Sequence, residues 1–264
     1  IGLAASGTGN IPSFTAVNTG ANPIVATITV TPTANGCLGA AQTFTITVNP
    51  TPSVNAPLDL ELCNGAATAA VNFTGAVTGT TFAWTNSAPG IGLAANGTGN
   101  IPSFTATNTG TTPIVATITV TPTANGCTGA AQTFTTTVNP TPTVADPINQ
   151  TLCNGTATSA INFVGSVTGT TYSWTNDNTS IGLAASGTGN IPSFTAVNTG
   201  TTPIVATITV TPTANGCPGA AQTFTITVNP TPTVIESLDL ELCNGASTAA
   251  VNFTGAVTGT TFAW

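Results

Sequence analysis

The chain has 264 residues, seven carboxylates for a net charge of −7, and no Lys, Arg, His or Met. Without a cation it cannot neutralise phosphates, which removes nucleic-acid binding. Without imidazole or amine it has no Ser-His-Asp or Cys-His site, no Schiff-base lysine, no Walker-type lysine and no His for zinc. No run of 18 apolar residues occurs, so no transmembrane segment is expected. The first residue is Ile1 rather than Met, which reads as a mature or internal segment.

From the start, the chain repeats itself. IGLAASGTGNIPSFTAVNTG begins at Ile1 and recurs at Ile181, with a near copy at Ile91. The period is 90 residues without slippage, too long for a solenoid turn and right for a small domain. V-N-P-T-P recurs at Val48, Val138 and Val228, and its spaced prolines read as a short stiff linker. The boundaries that follow are 1–50 (the back of a unit), 51–140 and 141–230 (complete units), and 231–264 (the front of a unit). The chain reads as a window on a longer array.

Within 51–140, the first candidate strand carries Val71 and Phe73, alternating with Asn72 and Thr74. Phe82 and Trp84 alternate with Thr81 and Ala83. Gly90 to Asn100 reads as an irregular strand with turns, and Phe104 and Ala106 as another strand. Ile114, Ala116, Ile118 and Val120 share one face, and Asn125-Gly126 marks a tight hairpin or loop. Phe134 and Val138 share a face with Thr133, Thr135 and Thr137 opposite; position 136, Ile in the other copies, points inward. This is the period of half-buried strands, and no helical period accompanies it. About seven strands per 90 residues predict an all-β fold of tandem immunoglobulin-like sandwiches strung into an extended rod. Trp84 falls on the third strand, where that architecture keeps its core Trp, but the cysteines do not fall where the antibody disulfide does.

Six cysteines form two classes: Cys63, Cys153 and Cys243 in L-C-N-G, and Cys37, Cys127 and Cys217 in N-G-C. Pairing within units gives Cys63–Cys127 and Cys153–Cys217, each closing a loop of about 64 residues and contributing roughly 4 kcal/mol by chain entropy. Cys37 and Cys243 then pair with parts outside the fragment. Pairing neighbours across the linker, Cys37–Cys63, Cys127–Cys153 and Cys217–Cys243, is the rival scheme, and six free thiols the third. The within-unit scheme is preferred because a small domain gains most from its own staple. Any bridge implies an oxidising compartment.

Other candidate sites meet plainer alternatives. Asp59 and Glu61, with counterparts Asp239 and Glu241, share a strand face as two calcium ligands could. The middle unit has Asn149 and Thr151 there, and Asp146 lies elsewhere, so solvated carboxylates are the preferred reading. A glycosidase pair lacks a groove between its members. Trp84, Trp174 and Trp264 could stack on sugars, but their alternation with Phe82 and Tyr172 favours the core. The N-x-S/T triplets at Asn72, Asn96, Asn149, Asn154, Asn178 and Asn252 arise readily in so Thr-rich a chain. No catalytic residue, cofactor or metal is expected. Strand edges without Lys or Glu are open to lateral pairing.

The run L-C-N-G, T-x-x-W-T-N, A-N-G-C, T-F-T-I-T-V-N-P-T-P resembles the PKD-like, immunoglobulin-like repeats of very large Bacteroidota surface proteins, similar to gliding adhesins and other cargo of the type IX secretion system. It covers Cys63 to Val138 and Cys153 to Val228. The resemblance implies an extracellular cell-surface fibre or stalk, structural or adhesive and not enzymatic. Its partners would be neighbouring repeats, identical chains in a fibre, or a surface or glycan. Two alternatives stand beside the spacer: adhesin repeats that grip glycans directly, and a subunit that polymerises head-to-tail as 231–264 completes 1–50 of the next copy.

Overall fold

The computed structural model describes residues 1–55 and 57–264. Its strands in chain order are β1 (Ile24–Val30), β2 (Thr33–Ala34), β3 (Cys37–Leu38), β4 (Gln42–Val48), β5 (Leu60–Cys63), β6 (Thr81–Asn86), β7 (Asn96–Thr98), β8 (Ile114–Ala124), β9 (Cys127–Thr128), β10 (Gln132–Asn139), β11 (Gln150–Cys153), β12 (Thr171–Asn176), β13 (Ser186–Thr188), β14 (Ile204–Ala214), β15 (Cys217–Pro218) and β16 (Gln222–Asn229). The only helical turns among the described residues are two short 3₁₀ segments, Pro89–Ile91 and Thr179–Ile181. The chain divides into two compact units, Ile1–Asn139 and Pro140–Trp264, so the division falls inside the V-N-P-T-P segment.

Each unit holds one immunoglobulin-like sandwich. In the first, a sheet runs β5-β10-β8-β6-β7, with β9 folded back on the end of β8. β8 takes antiparallel partners on both sides, β10 and β6, while β5 lies parallel to β10. The second unit repeats this as β11-β16-β14-β12-β13, with β15 on β14. Alternation decides the faces: Ala116, Ile118, Val120 and Ala124 of β8 are buried, while Thr117, Thr119, Thr121 and Thr123 look outward. Phe134, residue 136 and Val138 line the same interior, as the sequence predicts.

The opposite layer is thinner than seven regular strands would make it. The segments around Val71 and Phe104 meet only at isolated bridges, Val71–Ile101 and Ala67–Thr105. Side chains occupy ladder positions there. The Phe73 amide donates to Asn100 Oδ1 (2.9 Å), and the Phe104 amide to Thr68 Oγ1 (2.9 Å). The second unit does the same through Asn190 and Thr158. Short polar side chains thereby replace backbone partners and keep these segments from continuing as strands. They still close the core: Val54, Phe73, Ile91, Leu93 and Ile101 join Trp84 of β6, Ile118 and Val120 of β8 and Phe134 and Val138 of β10 in one buried cluster.

The Asn125-Gly126 hairpin forms as predicted. Both residues are left-handed, at φ 49° and 78°, which lets a two-residue turn join Ala124 to Cys127. The terminal segments bury far less. β1 and β4 pair along their length, yet Phe44 is 46% exposed where its counterpart Phe134 is 4% exposed. Trp264 is fully exposed.

Candidate functional site

The sandwich places its chemically distinctive side chains at two poles and on one outward face. One pole is where the repeat ends. Cys63 closes β5 and is register partner of Asn139, the last residue of β10. The Asn64 amide continues the pairing by donating to the Asn139 carbonyl (2.8 Å). The other pole carries the N-G-C hairpin, where Cys127 pairs with Ala124. The opening of the repeat lies against this hairpin: a Cβ on Gly129 would sit 1.8 Å from the Pro52 carbonyl oxygen, so only glycine fits. Gly219 and Pro142 repeat the contact at 1.9 Å.

This geometry corrects the cysteine assignment. From the level of Cys63 to that of Cys127 is about eleven residues of strand, roughly 35 Å. A disulfide needs Cα atoms within about 7 Å. Cys153, partner of Asn229, and Cys217, partner of Ala214, are separated in the same way. Neither within-unit pair forms. Cys63 and Cys217 are disulfide-bonded, whereas Cys37, Cys127, Cys153 and Cys243 are free thiols. The neighbour scheme therefore does not form either. The pole of each cysteine depends on β5 joining β10 in parallel at its far end, which spacing alone does not reveal.

The acidic pair has structural employment. Asp59 Oδ1 accepts from the Thr135 amide (2.6 Å), and Glu61 Oε1 accepts from Asn139 Nδ2 (3.0 Å). In the second unit Asn149 Oδ1 accepts from the Thr225 amide (2.7 Å), so a neutral amide does the work of Asp59. No cluster of three or more His, Cys, Asp or Glu side chains that could hold a metal occurs among the described residues.

Trp84 and Trp174 are core residues, as their alternation predicts. Each ring lies against a glycine; a Cβ on Gly97 or Gly187 would stand 2.2 Å from the indole Cζ2. Their indole N–H groups have no hydrogen-bond partner. On the same strand, where Tyr172 lies against the Phe163 ring, burial raises its phenol above the ordinary pKa. Of the N-x-S/T asparagines, Asn72 Oδ1 accepts from Asn100 Nδ2 (2.8 Å), and Asn154 Oδ1 accepts from the Asn198 amide (2.9 Å).

Buried asparagines were not singled out from the sequence, though they organise the loops. Asn108 Nδ2 donates to the Val138 (2.7 Å) and Thr112 (2.9 Å) carbonyls, and its Oδ1 accepts from the Gly110 amide (3.0 Å). Asn198 makes the same three bonds. Asn86 Nδ2 donates to the Leu93 (3.0 Å) and Ala94 (3.3 Å) carbonyls. The signal was present: N-T-G and W-T-N recur once per period, and fixed polar residues in a drifting repeat mark backbone satisfaction.

The outward face is paved with hydroxyls in register. Thr85, Thr119 and Thr133 form a row across β6, β8 and β10, and Thr117 faces Thr135 in the next row. Thr175, Thr209 and Thr223 form the equivalent row in the second unit. The Thr85–Thr119–Thr133 and Thr175–Thr209–Thr223 rows hold hydroxyls alone, while Asp59 borders the Thr117–Thr135 row at the Thr135 amide.

A PKD-like domain model matches residues 61–142 and again 150–232. The chain belongs to the PKD-like domain family. No curated protein matches it. Among solved structures the PKD-like pair is similar to the DIP-gamma IG1+IG2 crystal structure, at 7% identity over 68% of this chain and 98% of the other, TM-score 0.39. It is similar also to mouse cadherin-23 EC22-24, at 10% identity over 80% and 75%, TM-score 0.30. Drosophila N-cadherin EC1-4 matches at 12% identity over 72% and 53%, TM-score 0.37. Likenesses this distant lend nothing to function. Tandem PKD-like and immunoglobulin-like domains are modules typical of extracellular adhesion and structural proteins, and typically non-catalytic. No helix among the described residues is long and apolar enough to cross a membrane.

Proposed function

We propose that the chain is a structural repeat region of an extracellular surface fibre or stalk, non-catalytic, with units 51–140 and 141–230 as its complete modules. The observation that carries this reading is the duplication of the sandwich. Two sandwiches reproduce each other's core, caps and hairpins, while their conserved polar groups are spent on backbone carbonyls and amides. Linkers of V-N-P-T-P build make such modules spacers in an extended rod. The resemblance to Bacteroidota gliding-type adhesins supports a cell-surface location and type IX export. Small-angle scattering on chains of two, four and six repeats tests the reading. A maximum dimension rising by about 40 Å per repeat supports the spacer; a dimension that grows as a compact globule overturns it.

The threonine rows favour one second reading, an adhesive face for uncharged glycans. A hydroxyl-paved surface offers neutral donors and acceptors, with carboxylates only at its margins, at Asp59, Glu61 and Asp177. A glycan array probed with this chain decides between them, since a spacer binds nothing.

A further inference from the structure

We propose that each sandwich is built to bear tension, with its first and last sheet strands forming a shear clamp: β5 on β10 in the first unit, β11 on β16 in the second. The clamp is a property of one sandwich by itself. It deepens the spacer reading and rests on it only for the claim that tension reaches the chain ends.

The clamp follows from strand direction. In chain order β5 is the first strand of its sheet and β10 the last, and the two lie parallel, Leu60 beside Thr136 and Cys63 beside Asn139. Tension on the ends of the module therefore enters β5 at Leu60 and leaves β10 at Asn139. These are opposite ends of the paired stretch, so the pull runs along the strands and across their hydrogen bonds, and all of those bonds are loaded together. A pull on the free ends of an antiparallel hairpin such as β8 and β9 would instead open one bond at a time. β10 is held to β8 over seven residue pairs and to β5 over four, so the β5 seam is where the sheet yields. Ahead of that seam, the Asn55 amide donates to the Thr74 carbonyl (2.9 Å) and Asn55 Nδ2 to Thr74 Oγ1 (3.1 Å). These bonds are loaded first and pass the tension on to β5 when they part.

Hydrogen bonds beyond the strand lengthen the seam at both ends. Before Leu60, Asp59 Oδ1 accepts from the Thr135 amide (2.6 Å). After Cys63, the Asn64 amide donates to the Asn139 carbonyl (2.8 Å). Between them, Glu61 Oε1 accepts from Asn139 Nδ2 (3.0 Å). The second unit pairs β11 with β16 in the same parallel register, Gln150 beside Ile226 and Cys153 beside Asn229. There Asn149 Oδ1 accepts from the Thr225 amide (2.7 Å), and the Asn154 amide donates to the Asn229 carbonyl (2.8 Å). Asp59 and Asn149 differ in charge and share acceptance from the last strand. What the two sandwiches keep at this exposed position is thus the bond across the seam, one more bond that must break in the same event as the ladder.

Single-molecule force spectroscopy on the full chain, held by its ends with its cysteines reduced, tests this, because forced opening reads the unfolding rate. Asp59→Ala should shorten the lifetime of one of the two sandwich steps at constant force by roughly fivefold, and adding Asn149→Ala should shorten the other. Asp59→Asn keeps an acceptor and should stay within about twofold of the parent chain. Thr68→Ala removes a comparable side-chain acceptor, that of the Phe104 amide (2.9 Å) in the opposite layer. It should lower stability to denaturant yet leave both lifetimes under force within about twofold, since its surroundings stay folded while the seam parts. An Asp59→Ala lifetime equal to the parent's, or a Thr68→Ala lifetime shortened as far as that of Asp59→Ala, would overturn the clamp. Scattering from repeat arrays, which tests the spacer, does not depend on Asp59, so either reading can fail alone.

Discussion

Thr136→Ile is an experiment the repeat has already performed on itself. Thr136 is 1% exposed on β10, opposite Ala116 of β8. Its counterpart Ile226 is 0% exposed on β16, opposite Ala206. The two frames share register and core composition, so isoleucine should enter the first without overpacking. The substitution exchanges a hydroxyl for two further carbons. At about 0.8 kcal/mol per buried methylene the apolar gain is about 1.5 kcal/mol. Removing a buried hydroxyl adds to it, and imperfect fit subtracts up to about 1 kcal/mol. The expected net is 1 to 2 kcal/mol of stabilisation, or about 5- to 30-fold slower exchange of the most protected amides in β8 and β10. Hydrogen exchange read by mass spectrometry resolves this within one sample, because β14 and β16 serve as the unchanged reference. Unaltered or faster exchange in β8 and β10 would refute the claim that the two cores are interchangeable at this position.

Asn108→Ala removes the side chain that satisfies the Val138 and Thr112 carbonyls. It should destabilise the first sandwich by about 2 to 4 kcal/mol, seen as a lower denaturation midpoint of Trp84 fluorescence in a background carrying Trp174→Phe and Trp264→Phe. Gly97→Ala forces a methyl to within 2.2 Å of the Trp84 ring. Loss of about 1 to 3 kcal/mol with a shifted Trp84 emission is expected, and an unchanged spectrum would contradict the packing described. Asp59→Asn should change stability by less than about 0.5 kcal/mol, because Asn149 already fills that role; added calcium should leave the melting temperature of either protein unmoved.

What the sequence made legible was whatever depends on period. Alternation of Ile114, Ala116, Ile118 and Val120 gave the inward face of β8, and the isoleucines at 46 and 226 gave the inward setting of Thr136. Asn-Gly gave the hairpin, since only left-handed residues close so short a turn. The disulfides were illegible because connectivity between strands is non-local. A parallel first strand pairing at the far end of the last one sends Cys63 to the pole opposite Cys127, and no local pattern encodes that choice. The strands near Val71 and Phe104 were over-read for a related reason. Their alternation is genuine, but Asn100 and Thr68 hold the amides a neighbouring strand would have held.

The absence of lysine from the strand edges also takes on a different meaning in three dimensions. Edge pairing is a hazard in proportion to the length of unpaired backbone. In the complete sandwiches the outermost strands are β5 and β7, four and three residues long, and β11 and β13, equally short. Shortness does there what charge does elsewhere. The threonine rows can then stay uncharged, lying on the sheet face rather than its rim, where neighbouring chains would have to meet side chain to side chain. The longer strands β1 and β4, seven residues each, pair only with each other, and Phe44 on β4 is far more exposed than Phe134 on β10. Where the five-strand path is present, in β5 to β10 and in β11 to β16, short outer strands leave little backbone for a neighbour to pair with, so protection from edge pairing comes from the fold of the sandwich and not from surface charge.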